Sequence, residues 1–369
     1  MTQPDRPESP HELANPRALG RLSANSLGAL LATLLLLGAG LYVSFDARSF
    51  TPTALAGDKI GFELLGHRGT CGLMPENTLP AFEKALAIGV TTLELDVNMT
   101  ADGVPVVIHD RRLPPDHARG PDGQWLTGEG PPILSLTLAQ LQRYDLGCAK
   151  PGGKTAKHFP DQPCLDHVPV PTLAAVLALG EARSGGHVRY SIETKLAPDD
   201  PEASAPPRVI ATAVVDAIRK AGVQDRANIQ SFDWRSLAVV HELAPGLPTV
   251  HLTAERSWLD NLQRGRPGLS AWLAGLDADD YPGKVPALVK AAGGAVWSPY
   301  YRDLREGDIA TAHDLGLRVV VWTVDDPVDM GRLIDDGADG IVTDYPDRLR
   351  KVMADKGLPL PAAYPGSSD

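Results

Sequence analysis

The sequence predicts an α/β protein built on a closed barrel of eight parallel strands with helices around it. Three observations carry that prediction. Short β-rich runs alternate with amphipathic helical runs from about residue 62 to residue 354, and such alternation calls for parallel strands joined by crossover helices. Nine strand runs occur, enough for eight staves and one extra. No G-x-G-x-x-G follows an early strand, so the runner-up, an open doubly wound sheet, lacks the phosphate loop of a dinucleotide site.

Taken in order, the first sixty residues stand apart from the barrel. Residues 1–25 are polar and Pro-rich, the composition of a disordered segment. Ser26–Phe45, "SLGALLATLLLLGAGLYVSF", carries no charge. Rising about 1.5 Å per residue, a helix of that length matches a bilayer core of about 30 Å. Arg17 and Arg21 precede it and favour a cytoplasmic N-terminus. The expectation is an uncleaved transmembrane signal anchor over 26–45 and a linker over 46–61. The remainder is then exported, to the periplasmic side of the inner membrane in a Gram-negative cell. The alternative is a cleaved signal peptide ending near Ala54–Gly57, "ALAG", and a soluble exported protein. Export permits a disulfide. Cys148 and Cys164 share one loop-rich stretch and are the expected pair, leaving Cys71 as a buried, inert thiol.

The barrel elements follow. Strand runs are "FELLGH" (62–67), "TLELDV" (92–97), "VPVVIH" (104–109), "HVRYSIETK" (187–195), "NIQSF" (228–232), "PTVHLT" (248–253), "AVWSPY" (295–300), "RVVVWTV" (318–324) and "GIVTD" (340–344). Helical runs are expected over 77–89, 171–182, 207–222, 233–243, 308–316 and 327–337, several of them ending in Gly. The link between "TLELDV" and "VPVVIH" is too short for a crossover helix. These two runs therefore form a hairpin turning at "TADG" (100–103). With Asp102 and Gly103 as a two-residue loop, Asp96 stands opposite His109; a one-residue shift of the turn puts Glu94 there instead. Residues 111–170 are Pro/Gly-rich and fit no barrel element apart from one helix near "TLAQLQRYDLG". This insertion is either a rim or lid over a site or a tolerated surface excursion. Residues 355–369 read as a C-terminal tail.

The chemistry lies at the ends of these runs. A net charge of −11 argues against a nucleic-acid surface, while a small anion can still be held by local cations or a metal. Glu94 and Asp96 interrupt an apolar strand at i and i+2, so they share one face. Burying them is costly unless they are paired or metal-bound. Glu193 repeats the pattern in "YSIETK", with Lys195 on its face. Three carboxylates on neighbouring strands make an oxygen-rich site for one divalent cation, Ca²⁺ or Mg²⁺. The competing reading is a set of solvated acids paired with Arg68 and Lys195. His67 and His109 each end a strand beside this cluster. Their unperturbed pKa near 6.5 suits general acid and base work at neutral pH. Arg68 and Lys195 add positive charge to the same pocket, as phosphoryl chemistry requires. Trp322 is read either as an apolar wall for a sugar or glycerol face or as a core residue. Nothing in the pattern specifies an oligomeric state.

In order, "GHRG", "PENT", "LELDV", "DGVPVVIHD", "IETK", "WTVDD" and "GIVTDYP" resemble the motifs of the glycerophosphodiester phosphodiesterase family, over about residues 62–354. The resemblance implies a barrel of the triosephosphate-isomerase type. It implies cleavage of small-molecule glycerophosphodiesters, such as glycerophosphocholine and glycerophosphoethanolamine, to sn-glycerol 3-phosphate and an alcohol. Position by position, it makes His67 and His109 the catalytic acid and base, and Arg68 and Lys195 phosphate ligands. Trp322 becomes a wall of the glycerol pocket, and Glu94, Asp96 and Glu193 become the metal ligands. It further implies attack by the glycerol 2-hydroxyl and a cyclic phosphate that water then opens. Which histidine acts first is left open. Three features depart from the family pattern: Asp325 in "WTVDD", where many members carry Asn, Cys71 in the first loop, and the long segment 111–170. The alternatives are phospholipase-like action on lysophospholipids and a catalytically silent binding barrel.

Overall fold

The structure is a computed structural model that describes residues 60–366. The predicted anchor over 26–45 lies outside the described residues. Among the described residues, no helix is long and apolar enough to cross a membrane.

The nine strand runs all form strands. In chain order these are β1 (Glu63–Gly66), β2 (Thr92–Met99), β3 (Pro105–Val107), β4 (Arg189–Thr194), β5 (Ala227–Ser231) and β6 (Thr249–Thr253). A small ribbon follows, β7 (Glu255–Arg256) with β8 (Leu259–Asp260), then β9 (Val296–Pro299), β10 (Arg318–Val321) and β11 (Gly340–Thr343). The order β1–β11–β10–β9–β6–β5–β4–β2 is parallel throughout, and β2 returns to pair with β1. Eight parallel staves thus close, as the alternation of runs predicted. The ribbon β7–β8 and the helices Val285–Ala291 and Pro346–Asp355 were not among the predicted elements.

Strand alternation sorts the residues of β2 between two environments. Leu93, Leu95, Val97 and Met99 face outward into the main core beneath the helices. Thr92, Glu94, Asp96 and Asn98 take the opposite face, and all four are buried. On the far side of the lumen, Leu65, Val250, Val296, Val320 and Val342 pack into an apolar layer. One layer of the barrel interior is therefore apolar, while β2 and β4 present Glu94, Asp96 and Glu193 inward. The outer helices are held at their ends by the expected signals. Thr78 caps Leu79–Ile88 by accepting from Ala81 N, and Gly89 ends it at φ 92°.

The hairpin corrects the sequence reading. β3 runs antiparallel to β2, pairing Val97 with Val107 and Met99 with Pro105. It occupies the edge of β2 that β1 leaves free, since β1 reaches only Leu93. The turn takes three residues, Ala101–Asp102–Gly103, closed by Thr100 N donating to Val104 O at 3.0 Å. Gly103 takes the left-handed conformation (φ 77°) that such a turn needs. An odd loop shifts the register by one relative to both expected pairings, so neither Glu94 nor Asp96 stands opposite His109. The ladder stops at Val107. Ile108 N still donates to Asp96 O at 2.9 Å, and the chain then turns away.

The segment 111–170 builds a small structure of its own. Val106, Ile108, Leu113, Ala118, Ile133, Leu141, Leu146 and Val170 form a second core. The predicted helix is one turn, Leu138–Leu141, with a capping box from Thr137 and Gln140. A second short helix spans Lys154–His158. Cys148 and Cys164 are disulfide-bonded, and Cys71 is a buried free thiol, both as predicted. Gln162 Nε2 donates to the carbonyls of Cys71 and Met74, each at 2.8 Å, tying the insertion to the loop after β1. The tail also packs, with Tyr364 N donating to Leu86 O at 2.8 Å.

Candidate active site

The C-terminal ends of the barrel strands open into a cavity of about 820 Å³. His67, Arg68, Glu94, His109, Glu193, Lys195 and Trp322 all line it, and Asp96 lies buried just beneath. Every predicted site residue is therefore brought together, although the residues come from five strand ends spread over 256 positions of sequence.

The loop after β1 is shaped by close backbone contacts. A Cβ on Gly66 would stand 2.2 Å from Gly69 O, so only glycine fits there. Arg68 adopts φ 49°, uncommon for a side-chain-bearing residue and a small store of strain at the site. That conformation aims Arg68 N at Glu94 Oε2, 2.8 Å away. The Arg68 guanidinium meets both oxygens of Glu76 at 2.9 Å. Its Nε lies 3.4 Å from Asp96 Oδ2 and is buried without a hydrogen bond.

Oxygens of Glu94, Asp96 and Glu193 lie within 4.8 Å of one another. Each acid is held from the side. Gln230 Nε2 donates to Glu94 Oε1 at 2.6 Å, Asn77 Nδ2 to Asp96 Oδ2 at 2.8 Å, and Lys195 Nζ to Glu193 Oε1 at 2.8 Å. Lys195 Nζ is also 3.5 Å from Asp96 Oδ1. Burial and then the Asp96 charge push Glu94 up to about 8. Burial and Asp96, opposed by Lys195, bring Glu193 to about 7. Asp96 lies well below the usual carboxylate range: Lys195, His109, Arg68 and Asn77 together outweigh its burial. Three acids thus share one buried position with one close lysine, while Arg68 is largely spent on Glu76. An all-oxygen donor set with surplus negative charge fits a hard divalent cation.

The two histidines are held in similar ways. His67 Nδ1 is 2.5 Å from Asp344 Oδ1, and His109 Nδ1 is 2.8 Å from Asp110 Oδ1. In each ring the partnered Nδ1 leaves Nε2 for other work. Their charge states differ. Burial and Arg68 pull His67 down, but Asp344 and Glu94 outweigh them and bring it up to about 9. His109 is lowered by burial and then by Arg68 and Lys195, which outweigh Asp96 and Asp110. Asn98 Nδ2 fastens the turn that carries His109, donating to Ile108 O at 2.8 Å. Trp322 donates from Nε1 to Ser298 O at 2.9 Å and packs edge-on against Phe232 at 5.2 Å. It is thus both anchored and part of the cavity wall.

Sequence reasoning assigned no role to Glu76, Asn77, Asp110, Gln230 or Asp344. Glu76 and Asn77 sit in "PENT", which was recognised as a motif only. Asp344 carried a usable signal: it is an acid at the end of the last strand, and closure of a barrel places that strand beside the first. Asp325, the departure in "WTVDD", accepts from Asp344 N at 2.9 Å and from Thr343 Oγ1 at 3.1 Å, and so sits behind Asp344 rather than in the cavity.

A parallel barrel with two histidine–carboxylate pairs, a buried acid triad and an arginine at its C-terminal mouth defines a hydrolase site of the acid/base type. Comparison with known proteins makes this specific. The model of the glycerophosphoryl diester phosphodiesterase family matches residues 67–348, and the chain belongs to that family. It is a phosphoric diester hydrolase. A glycerophosphodiester phosphodiesterase of Bacillus subtilis is 29% identical over 288 residues, 78% of this chain and 85% of that protein. The crystal structure of a putative glycerophosphoryl diester phosphodiesterase from Silicibacter pomeroyi is 36% identical, with a TM-score of 0.70, covering 83% of this chain and 97% of that one. An Oleispira antarctica phosphodiesterase, solved with the product sn-glycerol-3-phosphate, shares the fold at 20% identity and a TM-score of 0.58, covering 80% and 97% of the two chains.

Proposed function

We propose that the protein hydrolyses small glycerophosphodiesters to sn-glycerol 3-phosphate and an alcohol, with one divalent cation, Ca²⁺ or Mg²⁺, held by Glu94, Asp96 and Glu193. The observation that carries this reading is the placing of two carboxylate-held histidines on one cavity that also holds the acid triad. A cation held by these three acids would neutralise charge on the phosphate. The rest is the work of this chain. Arg68 and Lys195, both lining the cavity, hold the phosphate. Trp322 and Phe232 give the glycerol carbons an apolar wall. His109, lowered by burial and then by Arg68 and Lys195, takes a proton at Nε2 from the attacking glycerol 2-hydroxyl. His67, kept protonated by Asp344, gives its Nε2 proton to the leaving alcohol. The two exchange roles when water opens the cyclic phosphate.

We further propose that residues 26–45 anchor the protein in a membrane with the barrel exported, a reading supported by the uncharged length of that run; the alternative is a cleaved signal peptide and a soluble exported protein. No nucleic acid is a partner, given the acidic balance of the chain.

The test is release of sn-glycerol 3-phosphate from glycerophosphocholine and glycerophosphoethanolamine by the detergent-solubilised full chain. EDTA is expected to abolish release, and Ca²⁺ or Mg²⁺ to restore it. His67→Ala and Glu94→Ala should each lower kcat/KM by about 10²–10⁴-fold with unchanged circular dichroism. No turnover of any glycerophosphodiester with any divalent cation would overturn the proposal.

A further inference from the structure

A second donor cluster lies behind His67, outside the acid triad. Cys71 Sγ donates to Asp344 Oδ1 at 2.8 Å and stands 3.7 Å from His67 Nδ1. The same carboxylate oxygen partners His67 Nδ1. A sulfur, an imidazole nitrogen and a carboxylate oxygen therefore lie within 4.8 Å of one another. The proposed reaction uses Asp344 to hold His67 and leaves the thiol without a task.

We propose that Cys71, His67 and Asp344 form an inhibitory site for a thiophilic divalent cation such as Zn²⁺, distinct from the acid triad, which disables the enzyme by capturing His67 at Nδ1. The donor set is mixed N, S and O, the combination that suits zinc and that Ca²⁺ and Mg²⁺ avoid. Around a tetrahedral zinc, with bonds of about 2.0–2.3 Å, neighbouring donor atoms are about 3.4–3.6 Å apart. The Cys71–His67 spacing already matches. Asp344 Oδ1 is closer because protons now lie between it and its partners, so it has to withdraw by less than about 1 Å. The fourth position remains for water.

The protons balance. Binding releases the Cys71 thiol proton and the His67 Nδ1 proton, and the thiolate and carboxylate then neutralise the dication. His67 is left neutral, with its proton fixed on Nε2 and its other nitrogen taken by the metal. It can neither act as the imidazolium acid nor accept a proton in the return step. Because binding displaces these two protons, the cation competes with protons and binds better as pH rises.

The inhibition rests on the catalytic assignment of His67; the metal site itself does not. The experiment separates the two. The full chain, with Mg²⁺ or Ca²⁺ saturating the acid triad, is titrated with Co²⁺. Cys148 and Cys164 are joined to each other, so a thiolate-to-cobalt charge-transfer band in the near ultraviolet reports Cys71 alone. The expected result is a saturable band in the native protein, quenched by Zn²⁺ and absent in Cys71→Ser. Inhibition by Zn²⁺ is expected to require at least about tenfold more metal in Cys71→Ser, the scale of losing a ligand contact. Absence of the band, while visible cobalt transitions show metal bound elsewhere, would overturn the site. Equal zinc sensitivity of the two proteins, with the band present, would overturn the inhibition.

Discussion

Replacing Asp344 with Asn isolates the charge that sets the state of His67. The amide keeps an oxygen that can accept from Nδ1–H, so the ring stays oriented while the negative charge is lost. His67 stands at about 9 in the native protein. Measured from an ordinary value near 6.5, at about 1.4 kcal/mol per tenfold, its acidic neighbours outweigh burial and Arg68 by a net of roughly 3 kcal/mol. Glu94 supplies little of that near pH 7 without a cation, because it is itself largely protonated. Removal of the Asp344 charge is therefore expected to drop His67 to 6.5 or below, since burial and Arg68 then act almost unopposed. The sign for stability follows from linkage. A histidine raised in the folded state contributes stability that is complete below pH 6.5 and lost as pH rises through about 9. Asp344, lowered to about 2, contributes stability that is present above its ordinary range and lost as pH falls through about 2. The variant should thus be less stable than the native protein at pH 6, with the gap narrowing toward pH 9. The assay is an NMR titration of the His67 ring on cation-free protein, together with a pH–rate profile. At pH 7.5, kcat should fall by about 10²-fold, the scale of one acid–base group, with KM little changed because Asp344 does not line the cavity. A His67 that still titrates above 8 in the variant would refute the reasoning.

Two further outcomes are expected. Glu94 at about 8 and Glu193 at about 7 hold protons in the folded chain that the unfolded chain has already released. Cation-free protein should therefore lose stability as pH rises toward 8, and Ca²⁺ or Mg²⁺ should raise Tm more at pH 8 than at pH 6; equal shifts at the two pH values would refute the acid triad as the cation site. The full chain should sediment with membranes, resist carbonate extraction and dissolve in detergent; recovery as a soluble protein whose N-terminus begins near residue 57 would establish cleavage instead.

Much of the barrel was legible because buried parallel strands are short apolar runs, and every such run became a strand. The helices Val285–Ala291 and Pro346–Asp355 were less visible: the first is only two turns, and the second carries few apolar residues. The acid triad was legible for the opposite reason, since Glu94, Asp96 and Glu193 break apolar strands at a spacing that keeps Glu94 and Asp96 on one face. The hairpin was readable as a hairpin but not in register. Loop length decides register, and a third turn residue costs too little for composition to reveal it.

What the sequence determined by itself was local: which runs are strands, which face of each is polar, and which side chains end them. The tertiary structure alone decided who meets whom. Asp344 reaches His67 across 277 positions, and Gln230 reaches Glu94 across 136. The first of these meetings holds His67 protonated, because a buried group's proton affinity depends on the charges that closure brings beside it, not on its neighbours in the chain.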